Sequence, residues 1–172
     1  MKKKTYQLTL SAMFVALGVL FPMLFHGVGV GAVFLPMFWP IAAAAFFLDL
    51  PIALVAALLT PLVSSLITGM PPVSPPILQI IALELVVLAS TIVLFYRRTR
   101  LGLLWPLLIG LTLSRIVLIL VVKIFAPILG LPPQLFSLTV VMQGMPGVIA
   151  ILILVPLIIN RIKHEPIFSS RA

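Results

Sequence analysis

The chain has 172 residues, 63% of them hydrophobic and only 8% charged, with a mean hydropathy of +1.36. So few polar residues cannot cover a water-soluble domain, which excludes that class. The net charge of +8 does not point to nucleic acid either, because the basic residues gather at the ends of apolar runs, where orientation in a membrane accounts for them.

The pattern predicts an all-α integral membrane protein, a single transmembrane domain over residues 1–172 with six crossings. Each apolar run is close to the length that spans a hydrocarbon core of ~30 Å. The first covers residues 5–24, behind Lys2, Lys3 and Lys4. Its apolar run is long for a signal peptide and the residues from Gly27 to Ala32 make a poor cleavage site, so it is expected to be a retained helix. The second, short and Ala-rich, covers residues 34–50, and the third residues 51–69, with Pro51 suited to a first helical turn. The fourth covers residues 75–96, the fifth 102–126 and the sixth 134–160. The connectors hold the breakers: His26 to Gly31, Met70 to Pro76, and Pro127 to Pro133.

Charge asymmetry orients these segments. Lys2, Lys3, Lys4, Arg97, Arg98, Arg100, Arg161, Lys163 and Arg171 all fall on one side of a six-span chain, and the opposite connectors contain no Lys or Arg. The positive-inside rule then makes both termini cytoplasmic.

The two remaining basic residues, Arg115 and Lys123, sit within the fifth segment. A cation at membrane depth costs about 3 kcal/mol or more by insertion scales, so it calls for a partner or a task. At a rise of ~1.5 Å per residue, Glu84, Arg115 and Gln143 fall in one layer about 14–16 Å from the outer end, while Gln79 and Lys123 lie nearer the mouth. Glu84 and Arg115 suit a structural ion pair between neighbouring helices. They equally suit a ligand pocket in which Arg115, with Lys123, gives a basic recess for a carboxylate or polar heterocycle. Lys123 is also placed to snorkel to the headgroups, and Trp39, Trp105 or a Phe is a candidate stacking ring. The sixth segment is interrupted at Gln143-Gly144-Met145-Pro146-Gly147, where Pro146 cannot donate to the carbonyl four residues back. Freed backbone at that depth must face protein, water or ligand. His26, Gly27, Gly29 and Gly31 form a glycine-spaced connector with the character of a lid loop. With His26 and His164 at opposite ends of the topology, no metal site is expected, and no cofactor motif is present.

Several of these features carry a resemblance. The basic N-terminus is followed by Ala12-Met13-Phe14-Val15-Ala16, and the glycine-rich loop by Phe34-Leu35-Pro36-Met37-Phe38-Trp39-Pro40 and then by the run from Leu59 to Pro72. With six spans and a cytoplasmic N-terminus, the chain resembles the substrate-binding S component of an energy-coupling factor (ECF) transporter of prokaryotes. The resemblance implies an S-component-like bundle in the cytoplasmic membrane that captures a vitamin or vitamin precursor from outside, in a pocket capped by the first loop. It also implies a membrane coupling subunit and two ATPase subunits as partners, beside membrane lipid. By the same resemblance, Ala12 and Ala16 match the docking motif for the coupling subunit. The chain has no GxxxxGK[ST] loop and a single deep acid, Glu84, so uphill transport would draw its energy from partners.

The competing expectations are a structural or assembly membrane protein, a self-sufficient small transporter, and an intramembrane enzyme. The enzyme is disfavoured because its candidates reduce to Ser64, Ser65, Ser114 and Glu84, with no histidine at their depth.

Overall fold

In a computed structural model the described residues are 2–99, 101–128, 130 and 138–164, and among them every regular element is helical. The elements are α1 (Lys2–Gly27), α2 (Gly31–Phe34), α3 (Phe38–Ala44), α4 (Leu50–Thr68), α5 (Ile77–Arg98) and α6 (Leu104–Leu120). A π-helical turn (Val121–Phe125) follows, then α7 (Ala126–Ile128), α8 (Leu138–Gln143) and α9 (Met145–His164). Five helices are long and apolar enough to cross a membrane, and Gly31–Ala44 forms a shorter apolar helical stretch. This is the character of a multi-pass membrane protein.

Caps and prolines explain most of the boundaries. Asp49 is extended (ψ 150°) and Pro51 occupies the first turn of α4, where its missing N–H costs nothing. Gly69 ends α4 in the left-handed region (φ 73°), its N–H donating to the Ser65 carbonyl. The Ser64 hydroxyl then donates to the Met70 carbonyl (2.8 Å), and so does the Thr68 hydroxyl (3.2 Å). These bonds hold the connector from Met70 to Pro72 close to the end of α4.

The expected continuous helix over residues 34–50 is not what forms. Helix starts earlier, at Gly31, stops at Leu35, resumes at Phe38 and ends at Ala44. Pro36 disfavours the right-handed helical region for the residue before it, which ends the helix there, and Leu35 caps it in the left-handed region (φ 51°, ψ 55°). After Ala44 the chain continues in tight turns, with the N–H groups of Phe46 and Phe47 donating to the carbonyls of Ala43 and Ala44.

This broken segment nevertheless runs the length of the bundle. At one end Gly31 lies beneath the His26 ring, at the close of α1. At the other, Gln7 near the start of α1 donates to the Phe47 carbonyl (3.1 Å) and accepts from the Asp49 N–H (2.8 Å). Arg97, near the end of α5, donates to the Leu48 carbonyl (3.0 Å) and pairs with Asp49 (2.6 Å). One end of the molecule is therefore basic, and the other carries the glycine loop and the proline-rich connector.

The segment is also the centre of the core. Ile41, Ala42, Ala44, Ala45 and Leu48 are at most 1% exposed, and α3 touches α1, α4, α5 and α9. The long helices pack around it, α1 on α4, α4 on α5, and α5 on α6. Their outward faces stay apolar, with Leu66, Leu24 and Ile153 exposed, as lipid-facing surfaces are. Small residues permit the close approaches: a Cβ added at Gly147 of α9 would lie 2.7 Å from the Val33 carbonyl oxygen and the Phe34 carbonyl carbon of α2.

A cavity floored by a buried ion pair

Between the broken segment and the long helices, at the loop end, lies a cavity of about 440 Å³. Its polar floor is made by Glu84 of α5 and Arg115 of α6, which form a direct ion pair. Both are buried, at 3% and 8% exposure. An extensive α5–α6 contact brings them together. Gly110 lies one turn before Arg115 and lets α6 approach Leu88 and Ile92 of α5.

The pair is incompletely satisfied. Glu84 Oε1 and Arg115 Nε and Nη2 are buried without a hydrogen-bond partner among the described residues, beyond the ion pair itself. Two ions held at this depth each lose several kcal/mol of hydration, which their mutual attraction alone repays poorly. Buried polar groups usually find partners, so the pair is a place where additional donors and acceptors would be stabilising. One further contact is present: the Arg115 guanidinium lies over the Phe38 ring, 4.8 Å from its centroid, a cation–π arrangement.

The walls are largely apolar. Leu35 and Met37 line the cavity from the broken segment, Ile80 and Ile81 from α5, and Leu118 from α6. Met70, Pro71 and Pro72 contribute from the α4–α5 connector, while Pro22 and His26 border it from α1. His26 is fixed by a hydrogen bond from Nδ1–H to the Pro22 carbonyl (2.8 Å), the direction required because a carbonyl only accepts. Its ring covers Gly31 so closely that a side chain there would have to displace it.

The third residue of the expected layer also arrives. Gln143 ends α8 and lines the same cavity, at the break that the run from Gln143 to Gly147 predicts. The break is centred on Gly144, and Pro146 falls in the first turn of α9, where it needs no helical partner. A Cβ at Gly144 would sit 3.2 Å from Leu35 and 3.5 Å from Arg115 Nη1, so the break opens room for both side chains.

Other expected site residues lie elsewhere. Lys123 is exposed in the π-helical turn and does not line the cavity. Gln79 is exposed, with a long contact to the Val73 carbonyl (3.4 Å). The Trp39 indole donates to the Phe34 carbonyl (2.7 Å) and packs against the core, away from the cavity. Of the lid-loop residues, His26 and Gly31 border the cavity, whereas Gly27 and Gly29 are exposed beyond it. Gln134 and the expected start of the sixth segment lie outside the described residues. Ala12 and Ala16 are exposed on the outward face of α1. The hydroxyls of Ser64 and Ser114 are committed to the carbonyls of Met70 and Leu111.

With Lys123 absent from its lining, the recess is not basic. Its two formally charged side chains, Glu84 and Arg115, cancel. Sequence reasoning left the stacking ring open among Trp39, Trp105 and the phenylalanines, and the structure places Phe38 against the guanidinium. Phe38 adjoins Trp39 in the same aromatic run, but a helix broken at Leu35 has no continuous 3.6-residue period from which to tell which ring faces the site. Comparison of the chain with known protein families, curated proteins and solved structures finds no match.

Proposed function

We propose that this protein is a high-affinity substrate-binding subunit of an ECF-type importer, capturing a vitamin or vitamin precursor from the extracytoplasmic side of a prokaryotic cytoplasmic membrane. The observation that carries the reading is the cavity at the loop end, floored by an ion pair with polar atoms to spare. Its volume suits a compact small molecule. Its mouth is bordered by His26, Gly31 and the connector from Met70 to Pro72, which are connecting elements able to shift while the long helices stay packed. The basic end, away from the cavity, would face the cytoplasm by the positive-inside rule.

Exposed Ala12 and Ala16 leave a smooth strip on α1 for a coupling subunit to approach. The sequence offers no nucleotide-binding loop, so such a subunit, with two ATPases, would supply the energy.

The direct test is native mass spectrometry or thermal-shift screening of the purified protein against a vitamin panel. One compound is expected to bind at nanomolar strength, and Arg115→Ala to weaken it by about 2 kcal/mol or more, as for a desolvated charged contact. An Arg115→Ala protein with lower stability but unchanged affinity would reduce the ion pair to a structural role. A blank panel, with no partner-dependent uptake in cells, would favour an assembly protein; uptake without partner subunits would favour a self-sufficient transporter.

A further inference from the structure

The charge balance of the cavity bears on what it accepts. Glu84 and Arg115 lie side by side on its floor, one an acceptor and the other a donor, and among the described residues they are its only formally charged lining groups. Gln143 adds a neutral amide, which both donates and accepts. Leu35, Met37, Phe38, Ile80, Ile81 and Leu118 supply apolar and aromatic wall.

A ligand bearing a carboxylate would meet Arg115, but it would also place a second negative charge beside Glu84 in a largely apolar recess. A cationic ligand would meet the converse problem with Arg115. Either ion would leave the recess with a net charge that, among the described lining residues, only His26 at the mouth could offset, and only for the anion, by taking up a proton; an uncompensated buried charge is strongly disfavoured. A zwitterion balances, but both its ends must shed water into a mostly apolar recess. An uncharged planar molecule whose edge sets an N–H beside a C=O has no such cost. It can accept from Arg115 and donate to Glu84 in one placement, with its ring body against Phe38 and the aliphatic wall.

Resting on the binding role proposed above, we infer that the cavity selects an uncharged heterocycle with a lactam-type donor–acceptor edge, and discriminates against anions and cations of the same size.

The test uses four bicyclic probes with similar bodies: quinazolinone (neutral lactam edge), a quinoline carboxylate (anion), an aminomethylquinoline (cation) and tryptophan (zwitterion). Binding of each to the purified full chain is measured by calorimetry or native mass spectrometry. Quinazolinone is expected to bind most tightly, with the carboxylate and the amine weaker by about tenfold or more. Glu84→Gln leaves Arg115 uncompensated and should reverse the order in favour of the carboxylate. The double variant Glu84→Gln with Arg115→Gln removes both charges and should return the preference to quinazolinone, which guards against a single variant that fails to fold.

Equal or tighter binding of the carboxylate, the amine or tryptophan to the unaltered protein, or a charged hit from the vitamin panel, overturns the inference while leaving the binding role in place. An uncharged panel hit with a lactam edge supports it. A blank panel together with no probe binding removes the binding role and this inference with it.

Discussion

The protein has two Arg–carboxylate pairs among its described residues, and they differ in almost everything but chemistry. Asp49–Arg97 lies at the basic end, with side chains 33% and 48% exposed. Arg97 there also holds the Leu48 carbonyl, and the Asp49 N–H is held by Gln7. This pair fastens the non-helical end of the broken segment to α1 and α5, and its groups are well partnered. Glu84–Arg115 is buried on the floor of a cavity, its Oε1 and Nη2 meet only each other, and Arg115 Nε has no polar partner among the described residues. A half-exposed pair that also holds a backbone carbonyl belongs to the architecture. A buried pair left short of partners beside a cavity is the arrangement expected where a ligand completes the set.

Substitutions can break that contrast, beginning where the effect is largest. Arg115→Ala leaves Glu84 buried without its counter-ion and should cost about 3–5 kcal/mol of stability, read as a drop in unfolding temperature in detergent. Replacing both residues by apolar ones (Glu84→Leu with Arg115→Met) should recover most of that stability, because the burial penalty disappears with the charges. The same double variant should bind no ligand. A stable double variant that still binds would show the pair to be dispensable for recognition.

Gly147→Val tests the close approach of α9 to α2 and should destabilise by about 1–3 kcal/mol, since the added atoms meet the backbone of Phe34 and not a movable side chain. Gln143→Ala should leave the unfolding temperature nearly unchanged and weaken ligand binding by about 1 kcal/mol, measurable by titration. The smallest effect is expected at the other pair: Arg97→Ala should cost no more than about 1 kcal/mol of stability, its charge being half in solvent. It should leave affinity untouched. A large loss of affinity in Arg97→Ala would mean that the two ends are coupled and the contrast is false.

Much of this was legible from the sequence. Glu84, Arg115 and Gln143 could be assigned to one layer because helical rise is nearly constant and each lies within a long apolar run whose end is marked by breakers. The cavity they line agrees with that count. The same reasoning failed where the chain is not a long regular helix. The second segment contains Pro36 and Pro40, and its register beyond Leu35 depends on a left-handed residue that no periodicity announces. Phe38, and not Trp39, therefore met the guanidinium. Lys123 is exposed, as its snorkelling alternative expects, and does not line the cavity, because depth along a helix does not fix direction around it.

Composition and charge order by themselves determined the helical, membrane-like class and the number of apolar segments, because burial of backbone in lipid leaves helices as the economical solution for such a chain. The pairing of Glu84 with Arg115, the satisfied role of Asp49, and the neutrality of the recess were decided only when α5, α6 and the broken segment packed together. Net charge at a site is a property of which side chains share a space. Residues 31 positions apart, such as Glu84 and Arg115, share one only through the tertiary fold.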